Sequence, residues 1–239
     1  MFREIAATLL ASSALAAGAA HASDASIRQA FQNKVPGLTV ESVGKSPMAG
    51  LYEVVAGGQI FYVDEKVNFV IRGVLFDART PAMRNVTAAR NAELAAALLR
   101  KSTNLAIKRV RGNGKRVLYT FEDPNCGYCR QLQKELLKLN DVTIYTFLWP
   151  ILSEDSVAKS KAVWCARDRA RAWDDLMSNG VAPQNDAKCD TPLEKNMELA
   201  QRFGIRGTPG VFLADGRSIG GYLAADKIEE ELRSPAATK

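Results

Sequence analysis

Cys126-Gly127-Tyr128-Cys129 stands between an apolar, β-prone run, Val117-Leu118-Tyr119-Thr120-Phe121, and a segment from Arg130 to Leu139 with helical spacing. A strand that runs into a helix start, with two thiols at the junction, admits few folds. At a spacing of three on a helix the two sulfurs share one face, near enough to close a small disulfide. The first also meets unpaired backbone N–H groups and the positive end of the helix dipole, which stabilise a thiolate. The junction reads as a redox switch, with Cys126 attacking at the exposed helix start and Cys129 resolving from a more buried position one turn in.

The rest of the composition removes competing chemistries. The sole histidine, His21, falls within residues 1–22, which read as an export signal: Arg3, an apolar stretch from Ile5 through Ala20, and Ala20-His21-Ala22 as a small-x-small cleavage site. Cleavage after Ala22 starts the mature chain at Ser23 and leaves 217 of the 239 residues without an imidazole. That excludes Ser-His-Asp and Cys-His catalysis and histidine-ligated metal sites. The apolar part is short and Ala-rich for a membrane anchor, and no later segment is long enough to span.

The net charge is +6, with bases grouped at Lys108-Arg109-Val110-Arg111, at Lys115-Arg116, and at Arg167, Arg169 and Arg171. In an exported chain these read as solvated surface rather than a nucleic-acid site. Four cysteines can pair in three ways. Cys126 with Cys129 and Cys165 with Cys189 is favoured, because the helix pre-positions the close pair and leaves the other two for each other. A structural zinc site is the weaker alternative, since a ribbon needs a second close pair. No metal or other cofactor is expected.

The patterning divides the chain into residues 23–83, a connecting helix within 84–104, and residues 105–239. A short helix, Ser26 to Lys34, precedes strand-like runs at Thr39–Val43, Leu51–Ala56, Gln59–Val63 and Asn68–Leu75, separated by Gly57-Gly58 and Asp64-Glu65-Lys66. So small a unit needs either a partner copy on a strand edge or cover from the second domain of the same chain. Thr87 to Leu99 predicts a helix, with Thr87 as N-cap, acting as a semi-rigid connector. Asn85-Val86-Thr87 also matches a glycosylation sequon, but capping explains the threonine without it. Val117–Phe121, the striped helix and Val142–Phe147 form a strand-helix-strand unit. Helical composition from Ser153 to Met177, a helix at Leu193–Phe203, a hairpin of Gly210–Leu213 and Ser218–Tyr222, and a helix at Asp226–Leu232 follow. This is the thioredoxin order with a helical insertion.

In a redox site of this type a cis proline faces the disulfide, and the residue before it offers backbone groups to an extended substrate; Thr208-Pro209, just before a late strand, is placed for that role. Gly127 and Tyr128 carry no charge, so thiolate stabilisation rests on the helix terminus, while Tyr128 shields the site. Arg130 and Lys134 read as a solvated helix face.

Glu122-Asp123-Pro124-Asn125-Cys126-Gly127-Tyr128-Cys129, Val163-Trp164-Cys165-Ala166 with Trp173-Asp174-Asp175-Leu176-Met177, and Gly207-Thr208-Pro209 resemble the periplasmic disulfide isomerases of the DsbC type, with the DsbG group close by. Pro47-Met48-Ala49-Gly50, Gly73-Val74-Leu75-Phe76-Asp77 and Asn85-Val86-Thr87 extend the likeness over the mature chain. The resemblance implies a cystatin-like α+β dimerisation domain, a linker helix and an α/β thioredoxin-like domain, assembled as a V-shaped homodimer whose cleft holds misfolded exported proteins. It implies that Cys126 attacks, Cys129 resolves, Pro209 is cis, Cys165–Cys189 is a permanent disulfide, and a membrane thiol reductase of the DsbD type keeps the active pair reduced. Disulfide isomerase in the periplasm is the resulting expectation. A disulfide oxidase and a DsbG-like chaperone are the alternatives.

Overall fold

The computed structural model describes residues 23–234, so the expected export signal and cleavage site lie outside the described residues. Helix α1 (Asp24–Lys34) starts where Ser23 caps it, its hydroxyl accepting from the Ser26 N–H. Ile27 and Phe31, one turn apart, are fully buried against the antiparallel meander β1 (Val40–Lys45), β2 (Leu51–Ala56), β3 (Gln59–Asp64) and β4 (Val70–Ile71). Gly57 and Gly58 both hold positive φ, which a two-residue hairpin between β2 and β3 requires.

The run Asn68–Leu75 is not one strand. Only Val70 and Ile71 pair, opposite Val63 and Tyr62, because the Asp64 carboxylate takes the Phe69 N–H at 2.8 Å and the chain then leaves the sheet. Phe76–Asp77 (β5) pairs instead with Arg84–Asn85 (β6). Phe69, Val70, Ile71, Val74 and Phe76 are left exposed beside the short edge.

Helix α2 (Val86–Lys101) begins one residue earlier than expected, and its cap is Asn85, whose side-chain oxygen accepts from the Ala88 N–H at 2.8 Å. Thr87 is instead buried, its hydroxyl 2.7 Å from the Tyr62 hydroxyl and accepting from the Leu75 N–H. Leu99 carries α2 onto the second sheet.

That sheet runs β11-β10-β8-β9-β7, comprising β7 (Ile107–Arg111), β8 (Arg116–Glu122), β9 (Val142–Leu148), β10 (Gly210–Leu213) and β11 (Ser218–Gly220). Strands β8 and β9 are parallel, joined by α3 (Gly127–Leu136) as the crossover. Leu132 and Leu136 of α3, with Ile228 of α7 (Ala225–Arg233), cover one face. Stacked Phe121 and Phe147, with Phe212 and Leu199, fill the other beneath α2 and α6 (Leu193–Arg202). The expected helical stretch Ser153–Met177 is two helices, α4 (Glu154–Trp164) and α5 (Arg169–Asn179), because Asp168 stops the path to cap the second. Among the described residues no helix is long and apolar enough to cross a membrane.

Among the contacts that join the halves, two stand out. Glu41 of β1 accepts from the Gly58 N–H and pairs with Arg202 at the end of α6, at 2.6 Å. The Asp215-Gly216 turn lies on α2 so tightly that a Cβ on Gly216 would stand 2.0 Å from the Ala92 carbonyl oxygen, and Gly216 also holds φ +83. Gly216→Ala is expected to lower stability in urea unfolding by more than about 1 kcal/mol, since the backbone conformation and the contact both oppose it.

Candidate active site

Strand β8 delivers the chain to the redox pair and α3 begins on it. Cys126 is the N-cap of α3, its sulfur accepting from the Cys129 N–H at 3.3 Å, in the place that a serine hydroxyl fills at α1. Both cysteines are free thiols. Cys126 is 6% exposed and Cys129 fully buried, so the first is nearer the surface but not open to it as the sequence suggested. The cover comes from the loop before β10: the Cys126 thiol donates to the Thr208 carbonyl at 3.3 Å, and the Thr208-Pro209 bond is cis. Tyr128 is exposed, its ring 6.4 Å from that of Tyr222. Gly127 has open space where a Cβ would stand, so sterics do not demand glycine there.

The turn that presents Cys126 is built on Asp123, which the sequence reading quoted but gave no role. Its carboxylate is fully buried and accepts four hydrogen bonds: from the Asn125 N–H at 2.7 Å, the Ser156 hydroxyl at 2.8 Å, and the Ile151 and Leu152 N–H groups at 2.8 and 3.0 Å. Its carbonyl accepts from the Cys126 N–H. One side chain thus fixes the redox loop, the loop after β9 and the start of α4.

A second polar group lies beneath Cys129. Glu122 is fully buried; one carboxyl oxygen accepts from Thr120 at 2.6 Å and from Thr146 at 3.3 Å, while Oε2 has no hydrogen-bond partner among the described residues. Arg109, read from sequence as solvated surface, is buried. It donates to Gln133 at 2.6 Å, Thr146 at 2.8 Å and Asp174 at 2.9 Å, and lies 3.9 Å from Glu122. Burial raises the Glu122 carboxyl above its ordinary range, with Arg109 drawing it partly back. Burial, followed by the Glu122 charge, pushes the Cys129 thiol well above its ordinary value. The arrangement therefore keeps Cys129 a thiol beside Cys126. Thr120 opposite Thr146 in the parallel register was the available signal for this polar pocket, since both interrupt apolar strands.

Arg169 stays exposed, as the sequence reading had it, while its guanidinium lies 3.9 Å over the Trp164 ring and donates to the Trp164 carbonyl. Trp164, Trp173, Leu176 and Met177 of the insertion pack with Cys126 and Cys129. Cys165 and Cys189 form a disulfide that ties the end of α4 to the segment before α6.

Two outcomes follow from these contacts. An acid whose folded pKa is raised binds a proton that the unfolded chain has released, so stability falls as pH rises through and above the ordinary carboxylate range. Glu122→Gln is expected to lose that fall, visible as a smaller difference between urea unfolding at pH 5 and at pH 8 than in the parent chain. Replacing Cys165 and Cys189 together with alanine is expected to lower stability by about 3–4 kcal/mol in the chain-entropy account, measured by denaturant unfolding.

Residues 18–88 match the disulfide bond isomerase protein N-terminal domain, and residues 103–235 match the thioredoxin-like domain. Over 207 residues the chain is 41% identical to the probable thiol:disulfide interchange protein DsbC of Bordetella parapertussis, covering 86% of this chain and 73% of that one. It is 30% identical over 220 residues to the thiol:disulfide interchange protein DsbC of Escherichia coli, covering 90% and 89%. A disulfide interchange protein from Neisseria gonorrhoeae, known from its crystal structure, aligns with a TM-score of 0.53 at 41% identity, covering 55% of this chain and 96% of that one. By the extent of these matches over both halves, the chain belongs to the DsbC family of thiol:disulfide interchange proteins.

Proposed function

We propose that the chain rearranges non-native disulfides in exported proteins through Cys126 and Cys129. The observation that carries the reading is the placement of the Cys126 sulfur as a helix cap, with the Cys129 N–H behind it and the Thr208 carbonyl beside it. Relatives named for thiol:disulfide interchange favour this over the oxidase or chaperone alternatives.

Cys126 thiolate attacks one sulfur of a substrate disulfide, forming a mixed disulfide and releasing the other substrate sulfur as a thiolate. That thiolate attacks a different cysteine pair, and the last substrate thiolate displaces Cys126, so the substrate is rearranged with no net electron transfer. When rearrangement stalls, Cys129 loses its proton and attacks the Cys126 sulfur, freeing a reduced substrate and leaving Cys126–Cys129 oxidised. Glu122, a buried carboxyl whose charge Cys129 feels, is the group suited to take that proton. A membrane thiol reductase of the DsbD type then supplies two electrons to restore the dithiol.

The compartment is the periplasm, entered with cleavage after Ala22. The assembly is a homodimer through the N-terminal sheet, supported by the exposed Phe69, Val70, Ile71, Val74 and Phe76 beside a short strand edge.

Scrambled ribonuclease tests the reaction. Reactivation without added oxidant is expected from the reduced protein and is expected to vanish in Cys126→Ala; turnover of reduced ribonuclease alone would overturn the isomerase reading. Alkylation under denaturing conditions, after acid quenching of the protein taken from its native compartment, is expected to label Cys126 and Cys129 and to leave Cys165 and Cys189 unlabelled.

A further inference from the structure

A shallow groove of about 590 Å³ lies between the loop after β9 and helix α6. Trp149 and Ile205 line its apolar part with Ile151, and Met197 stands on α6 with Glu194 and Glu198. Glu194, Met197 and Glu198 fall at i, i+3 and i+4, so they share one face of α6. All three are exposed. Among the described residues neither Glu194 nor Glu198 has an ion pair or hydrogen-bond partner, although the chain carries a net charge of +6. Lys195, next to Glu194, does not line the groove.

Both walls run into the redox site. The Ile151 N–H is held by the Asp123 carboxylate that also shapes the turn before Cys126. On the other side the Ile205 side chain fills the space over Gly210, where an added Cβ would stand 2.9 Å from it, and Gly210 follows the cis Thr208-Pro209 bond whose carbonyl meets the Cys126 sulfur. Both walls are thus tied to the elements that present Cys126 and the Thr208 carbonyl, which makes the groove a candidate for contact with residues flanking a substrate's reacting cysteine.

We infer that the groove is a substrate subsite selecting unfolded segments that carry, near the reacting cysteine, an apolar side chain next to lysine or arginine. The apolar side chain covers Trp149, Ile151 and Met197, and the base pairs with Glu194 and Glu198. This rests on the interchange reading and adds the class of sequence it prefers.

The test uses the reduced full-length protein and short peptides with one cysteine linked by a disulfide to 2-mercaptoethanol. The peptides bear leucine followed by lysine, or leucine followed by glutamate, on either side of the cysteine. The protein dithiol is oxidised to the Cys126–Cys129 disulfide while the peptide disulfide is reduced to peptide thiol and 2-mercaptoethanol, and released peptide thiol is followed by chromatography. Lysine peptides are expected to react about fivefold to tenfold faster in kcat/KM at low ionic strength, with the ratio shrinking in salt. Glu194→Gln with Glu198→Gln is expected to bring the ratio close to one, and Glu198→Lys to reverse it. Equal rates for the two peptides, or a lysine preference that survives both substitutions, would overturn the subsite. Turnover of 2-hydroxyethyl disulfide, too small to span the groove, reports the redox pair alone: failure there sinks the interchange reading instead.

Discussion

The site depends on one buried carboxylate. Among the described residues Asp123 has no charged partner, yet its two oxygens and its carbonyl collect donors from three separate segments: the turn into Cys126, the backbone at Ile151 and Leu152, and Ser156 at the head of α4. Burying a carboxylate is costly unless such donors surround it, and here every donor belongs to an element that shapes the surroundings of the thiols. The geometry of Cys126 is thus a property of the whole β8–α3–β9–α4 arrangement rather than of the four-residue motif.

The motif and the elements around it were legible because their physics is local. The cysteine spacing, the Leu132 and Leu136 stripe and the Gly57-Gly58 hairpin each depend on neighbours in sequence. What escaped depends on distant partners. Arg109 lies in a run of bases that looks solvated, and only contacts with distant residues, Gln133, Thr146 and Asp174, turn it into a buried anchor. Strand β7 is hidden for the same reason, since Lys108 and Val110 face out while Ile107 and Arg109 face in. The Asn68–Leu75 run has the composition of a strand but loses its ladder to a side chain, Asp64, that competes for the backbone N–H of Phe69. At α2 the sequence reading placed the cap on Thr87, but the buried hydroxyl of Tyr62 claims the threonine and Asn85 caps the helix instead.

The two thiols of the motif are separated by environment more than by position. Cys126 meets backbone groups at a helix start and a loop that partly covers it. Cys129 sits in an apolar pocket closed by Trp173 and Met177 with a carboxyl nearby, which holds its proton. That division lets the pair act in sequence, because a sulfur that remains protonated does not compete for substrate while its neighbour is engaged.

The Cys165–Cys189 bond has a consequence for the life history of the molecule. Before that bond forms, a nascent copy presents four thiols, and two of the three ways of joining them in pairs cross-link the motif to the insertion. Its own maturation therefore consumes an oxidant and runs the same hazard of wrong linkage faced by its clients.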